Sequence, residues 1–129
     1  MSKPSKPDIY VNQDDHEELI DLALRALGRV SGAALLLQEM ERATVAETSP
    51  PNAVAMNSNV DFEYSGRRYR DFKVVYPQCA DITDGRISVL TPVGAALIGL
   101  TEGATMTWVG LDRDVHSLTV LKVGVAPHH

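Results

Sequence analysis

Five consecutive ionisable residues, Asp14-Asp15-His16-Glu17-Glu18, form the densest run of potential metal ligands in the chain, and clustered carboxylates suit a hard cation. Helical geometry works against that chemistry. Successive residues point in different directions around the axis, so only pairs such as Asp14/Glu18 or Glu17/Asp21 share a face. Acids at a helix start are also explained without a ligand, because free amides and the macrodipole favour negative charge there. Four histidines, His16, His116, His128 and His129, show no metal-ligand spacing with one another and read as surface residues. The single Cys79 excludes an internal disulfide and any multi-cysteine zinc or iron–sulfur site, and it reads as a small buried hydrophobe. The chain lacks a phosphate-binding glycine loop, a nucleophile elbow and a zinc-protease helix motif. These residues predict no enzyme, no cofactor and no metal centre.

The one basic, aromatic-containing stretch is Arg67-Arg68-Tyr69-Arg70-Asp71-Phe72-Lys73. A nucleic-acid patch would look like this, but so does a solvated hairpin arm, and the overall charge favours the arm. The 129 residues carry 17 acids and 12 bases, a net of −5, which argues against direct DNA binding. Residues 14–48 hold eight of the acids against Arg25, Arg29 and Arg42, so nearly all the excess lies in one early segment. That asymmetry suggests two units with different jobs. One Trp, four Tyr and two Phe are few for a chain this long, so the composition predicts an aliphatic core and no large aromatic-lined pocket. No apolar run approaches the roughly 20 residues of a membrane span, and the N-terminus lacks an export signal, so the expected location is cytoplasmic with no membrane partner.

The elements that would position these residues follow from periodicity. Asn12 caps a helix in which Ile20, Ala23, Leu24 and Leu27 recur, with Leu19, Leu22 and Ala26 widening the stripe. That width suits a weak homodimer through this helix. The helix stops at Gly28, and a second begins near Ala33, presenting Leu36, Leu37, Met40, Ala43 and Thr44, until Pro50-Pro51 ends it. So short a connection makes the two helices an antiparallel hairpin, a short coiled coil. Beyond the prolines the period changes to two, with strands around Val60-Phe62-Tyr64 and Phe72-Val74-Tyr76 joined by Ser65-Gly66. A short strand at 87–90, a brief helix after Thr91-Pro92, and strands at 105–109 and 117–123 complete a mostly antiparallel sheet. The predicted class is α+β, with a flexible segment at 1–12, a helical hairpin at 13–48, a linker at 49–53 and a sheet domain at 54–129.

Residues 80–108 add a more specific signal. Asp81-Ile82, Ile87-Ser88-Val89, Pro92-Val93-Gly94, Ala96-Leu97-Ile98-Gly99 and Gly103, with Leu118-Thr119-Val120-Leu121-Lys122-Val123, closely resemble the carboxy-terminal domain of the Gre transcript-cleavage factors. They resemble still more closely the Rnk-type nucleoside diphosphate kinase regulators of bacteria. The resemblance implies an FKBP-like carboxy-terminal domain that docks on RNA polymerase beside its secondary channel, with the hairpin directed toward the channel. It also implies that the gripping surface includes Asp81, Thr91 and Pro92. Gly99-Leu100 and Gly103-Ala104 replace the Gly-Lys and Gly-Asp common in Gre factors, so contacts of that Lys or Asp do not carry over. Cleavage stimulation needs carboxylates at the hairpin tip to complete a magnesium site, whereas Gly28–Gly32 contains Arg29 and no acid. The expectation is therefore a non-catalytic polymerase-binding regulator that competes with Gre-type factors. Prolyl isomerisation, or control of nucleoside diphosphate kinase by another route, are the alternatives.

Overall fold

Asn12 holds the first helix at three points: its Oδ1 accepts the Asp15 amide at 2.8 Å, and its Nδ2 donates to the Asp15 carboxylate at 3.0 Å and to Ser49 Oγ at 3.3 Å. The computed structural model, which describes residues 6–110 and 112–124, has α1 at Gln13–Ala26 and α2 at Ala33–Arg42. In the first turn of α1, His16 Nε2 lies 2.9 Å from the carbonyl of Met40 in the last turn of α2, so the helices run in opposite directions. Asn12→Ala removes the cap and its tie to Ser49, and is expected to lower stability by about 1 kcal/mol, read as a shifted urea midpoint with an unchanged slope.

The second helix is shorter than its periodicity predicts. Thr44 and Val45 are β-branched, and Thr44–Ala46 forms strand β2, paired in parallel with β1, Tyr10–Asn12. This pairing corrects the expectation of a flexible segment through residue 12, because Ile9 and Val11 are buried and the Ile9 carbonyl accepts the Thr44 amide at 2.9 Å. Residues 1–5, His128 and His129 lie outside the described residues. The buried stripe of α1 is Leu19, Ala23 and Ala26, while Leu24 and Leu27 are exposed. Leu19 and Ala26, expected on an open dimer face, are therefore core residues. Both stripes satisfy helical spacing, and packing against α2 selects between them.

The sheet follows the order β5-β4-β3-β7-β6, with β3 at Asn59–Tyr64, β4 at Arg67–Val75, β5 at Arg86–Ser88, β6 at Thr105–Val109 and β7 at Val115–Gly124. Ser65 and Gly66, both at positive φ, make the two-residue turn that joins β3 to β4. Register shifts beside Asp61 and Phe62 on both flanks of β3 are bulges, which increase local twist. Asp71 sits at φ 58 there, its amide donating to Asp61 Oδ1 at 2.9 Å. Within this sheet the pairings are antiparallel except that of β4 with β5. That strand enters in parallel because two short 3₁₀ turns, Pro77–Cys79 and Ile82–Asp84, carry the chain back before it pairs.

Helix α3, Pro92–Leu97, links the two regions that composition suggested were separate. One buried cluster joins Leu19, Leu36 and Met40 of the helices to Leu97, Ile98, Phe62, Met106 and Val120. Each such side chain contributes about 1.5–3 kcal/mol, so the hairpin shares the core of the sheet and is not an independent arm. The connection between α1 and α2 lies against the sheet region too. A Cβ on Gly32 would overlap the Leu90 carbonyl and the Thr91 backbone. Among the described residues, no helix is long and apolar enough to cross a membrane.

Candidate functional site

Thr91 sits at the turn from β5 into α3, where its hydroxyl accepts the Gly94 amide at 3.0 Å and donates to the Ser88 carbonyl at 2.7 Å. Pro92 occupies the first helical position, where its missing N–H costs nothing. The Thr91 hydroxyl is thus committed to capping. Asp81 begins the second 3₁₀ turn, accepting the Thr83 amide at 3.1 Å and lying 3.7 Å from Arg86, whose guanidinium also reaches Asp84 at 3.4 Å. The structure brings Thr91 and Pro92 to one groove with Ile82, whereas Asp81, the residue before Ile82, is not among the residues that line it.

That groove has a volume of about 480 Å³ and is walled by Ile82, Ile87, Pro92, Val93, Tyr64 and Trp108, with Ser31 of the helical connection at its edge. Ile82 is 68% exposed, an apolar side chain held in water beside an apolar trough. Among the described residues, the one charged side chain that lines it outright is Asp112, beside His116.

At one end of the groove, His116 is held from both sides. Its Nε2 lies 3.1 Å from both carboxylate oxygens of Asp112, and its Nδ1 lies 3.0 Å from the Tyr64 hydroxyl. The imidazole also stacks on Trp108, ring centres 5.5 Å apart, and Trp108 stacks on Tyr64 at 6.0 Å. The Asp114 amide and then His116 hold the Asp112 carboxyl below the usual range. Gly110 makes the pair possible, because a Cβ there would lie 2.7 Å from both Asp112 Oδ1 and His116 Nε2. Two expectations are corrected here: His116 is part of a side-chain network, and scarce aromatics do not prevent an aromatic-lined groove. The three rings come from three neighbouring strands. Trp108 and His116 are paired across β6 and β7, a register that no spacing in the sequence reveals.

The acidic run at the start of α1 lies elsewhere. Glu18 accepts a hydrogen bond from the Tyr76 hydroxyl at 2.7 Å, beside a second concavity of about 540 Å³ that also holds Asp21, Arg25 and Arg29. Desolvation pushes the Asp15 carboxyl up, against the Asn12 hydrogen bond. Desolvation and then the bond to Glu18 push the Tyr76 hydroxyl up. Among the described residues, no three His, Cys, Asp or Glu side chains converge as they would to hold a metal ion. The basic stretch lies on β4, where Arg68 pairs with Glu63 at 3.7 Å and Tyr69 stacks on Phe62 at 4.9 Å. Cys79, expected to be buried, is exposed, because it ends a short 3₁₀ turn outside the sheet.

Residues 49–124 match the family described as "Transcription elongation factor, GreA/GreB, C-term". The protein named "Regulator of nucleoside diphosphate kinase" in Escherichia coli (strain K12) is 37% identical over 109 residues, covering 81% of this chain and 79% of that protein. Its namesake in Shigella flexneri gives the same figures. Among solved structures, a prokaryotic transcription elongation factor GreA/GreB from Nitrosomonas europaea superposes with a TM-score of 0.68 at 33% identity, over 92% of this chain and 99% of that one.

Proposed function

We propose that this chain, which belongs to the GreA/GreB C-terminal family of transcription elongation factors, binds bacterial RNA polymerase near its secondary channel and competes there with Gre-type factors without stimulating RNA cleavage. The observation that carries this reading is the apolar groove lined by Ile82, Thr91 and Pro92, next to Asp81 in the chain. Asp81, Thr91 and Pro92 are the positions at which the resemblance to Gre factors puts the polymerase contact. The absence of cleavage chemistry follows from the connection between α1 and α2: residues 28–32 carry no carboxylate, and Gly32 packs on Leu90 and Thr91. The nearest acid along α1, Asp21, is paired with Arg25 at 2.6 Å.

Competition against purified bacterial RNA polymerase tests this directly. The chain is expected to bind core enzyme at about 1 µM and to displace a Gre-type factor, and stalled elongation complexes are expected to show no added cleavage. Asp81→Lys, which reverses a charge next to Ile82, is expected to weaken binding about tenfold. Absence of binding, or stimulated cleavage, would overturn the reading. An effect on nucleoside diphosphate kinase, as the relatives' names suggest, would in this view follow from transcription.

One observation favours a second reading, prolyl isomerisation by an FKBP-like domain: the groove gathers Tyr64, Trp108 and His116 around an apolar floor. A proline-peptide isomerisation assay separates the two.

A further inference from the structure

The five-stranded sheet closes one of its edges and leaves the other open. At the β5 edge the strand is three residues long and carries Arg86, whose amide and carbonyl are both taken by Asp81 at 2.9 Å. Short length, a charge and a covering segment are devices by which natural sheets prevent edge pairing. Among the described residues, the β6 edge shows none of them. Thr105-Met106-Thr107-Trp108-Val109 is uncharged, free of proline and rich in residues that favour strands, and its register with β7 runs without a bulge.

The ladder decides which backbone groups are left over at that edge. The Val120 amide donates to the Ala104 carbonyl at 3.0 Å and the Gly110 amide to the Asp114 carbonyl at 2.9 Å, so positions 104 and 110 bond toward β7. Antiparallel bonding alternates along a strand. Met106 and Trp108 therefore also bond to β7, while the N–H and C=O of Thr105, Thr107 and Val109 point outward from β6, the last strand of the sheet. These outward groups are symmetric about Thr107. A second β6 laid antiparallel across a two-fold axis at Thr107 sets Thr107 against Thr107 and Thr105 against Val109, and each pair exchanges two bonds with no donor or acceptor left over. We propose that β6 is a self-recognition edge through which two copies of this chain pair, with Thr107 on the two-fold axis, to make one sheet continuous across both molecules.

The side chains on the solvent face favour the same occupant. Val109 and its cross-strand neighbour Val115 are 68% and 69% exposed, and the two-fold register places Thr105 of the second copy beside Val109, a β-branched neighbour for an apolar side chain now in water. A chain with a net charge of −5 repels its own copy, and an uncharged strand is where that repulsion is least. Glu102 and Asp112, the nearest acids beyond the two ends of β6, are turned back on their own chain, Glu102 to the Val123 amide at 2.9 Å and Asp112 to His116 at 3.1 Å. Pairing over so short a strand buries less than the roughly 1,200 Å² at which standard interfaces begin. The pair is therefore weak, monomeric at about 1 µM and dimeric toward about 1 mM.

Sedimentation equilibrium and amide hydrogen exchange on the wild-type chain test this. Between about 10 µM and about 1 mM the average mass is expected to rise toward twice that of the monomer. Over the same range the amides of Thr105, Thr107 and Val109 are expected to slow their exchange about 3- to 10-fold, and those of Met106 and Trp108, already bonded to β7, to change less. Thr107→Lys and Thr107→Glu each set like charges face to face on the axis and are expected to stay monomeric throughout. Mixed in equal amounts they are expected to associate again, because a two-fold pairing at this residue sets Lys against Glu. A wild type that stays monomeric to about 1 mM overturns the inference, as does a dimer that leaves the three outward amides unprotected or that persists in both charged variants. Failure of the mixture to associate overturns the placement of the axis at Thr107.

Discussion

Glu39→Ala is expected to lower the stability of the fold by about 3 kcal/mol or more. Glu39 is 1% exposed, yet it carries a carboxylate on the inner face of α2. It is kept there by Arg42, whose Nη2 lies 2.6 Å away and whose Nε reaches both carboxylate oxygens at 3.1 and 3.2 Å, and by Lys6 at 3.2 Å. Arg42 in turn donates to the Pro7 carbonyl at 2.5 Å and touches Met106 of β6. One carboxylate therefore ties the chain entering β1 to α2 and the sheet. Removing it leaves the Arg42 guanidinium with the Pro7 carbonyl and a thioether, in a place where only a quarter of its side chain meets water. Replacing the ion pair with apolar residues of similar size, Glu39→Leu with Arg42→Met, is expected to recover most of the loss, because burying the charges was itself costly. Urea unfolding of the two variants beside the wild type checks this. A loss below about 1 kcal/mol for Glu39→Ala would show that the pair behaves as a surface bridge.

Gly32→Ala is the second large effect, expected at about 2–3 kcal/mol. Nothing in its backbone angles forbids alanine. The obstacle is the neighbour, because the new methyl would coincide with the Leu90 carbonyl and press on the Thr91 backbone, and main chain cannot swing aside as a side chain can. The connection between α1 and α2 must then lift away from the start of α3. Ser31 would leave the groove edge with it. The variant should therefore show a shifted urea midpoint together with altered Trp108 emission. A normal midpoint and an unchanged spectrum would mean that the contact between the connection and the sheet is looser than the structure describes.

Elements held by local chemistry were legible in the sequence. The Asn12 cap, the Ser65-Gly66 turn and the Thr91-Pro92 start of α3 each depend on residues a few positions apart, and each lies where the pattern placed it. Strand β2 was not legible, because Ala43 and Thr44 continue the helical spacing of Leu36 and Met40 and only their partner at Tyr10 draws the chain into a strand. The contact at Gly32 leaves no trace in any periodicity, since it involves two backbones and no side chain. The groove was half legible. Thr91 and Pro92 come from one recognisable turn, but Tyr64, Trp108 and His116 converge from positions 64, 108 and 116, and only the sheet order makes them neighbours.

The helical hairpin begins and ends at one place, where β1 and β2 lie side by side, and its far end rests on Leu90 and Thr91. Its length is thus gauged at both ends. Two further turns on each helix would carry the connection about 10 Å onward, past its seat, although the base would accept the longer pair unchanged. A chain of this architecture can have a seated connection or a long reach, but not both. Loss or gain of a few helical turns is then enough to exchange one kind of molecule for the other, with no alteration in the sheet.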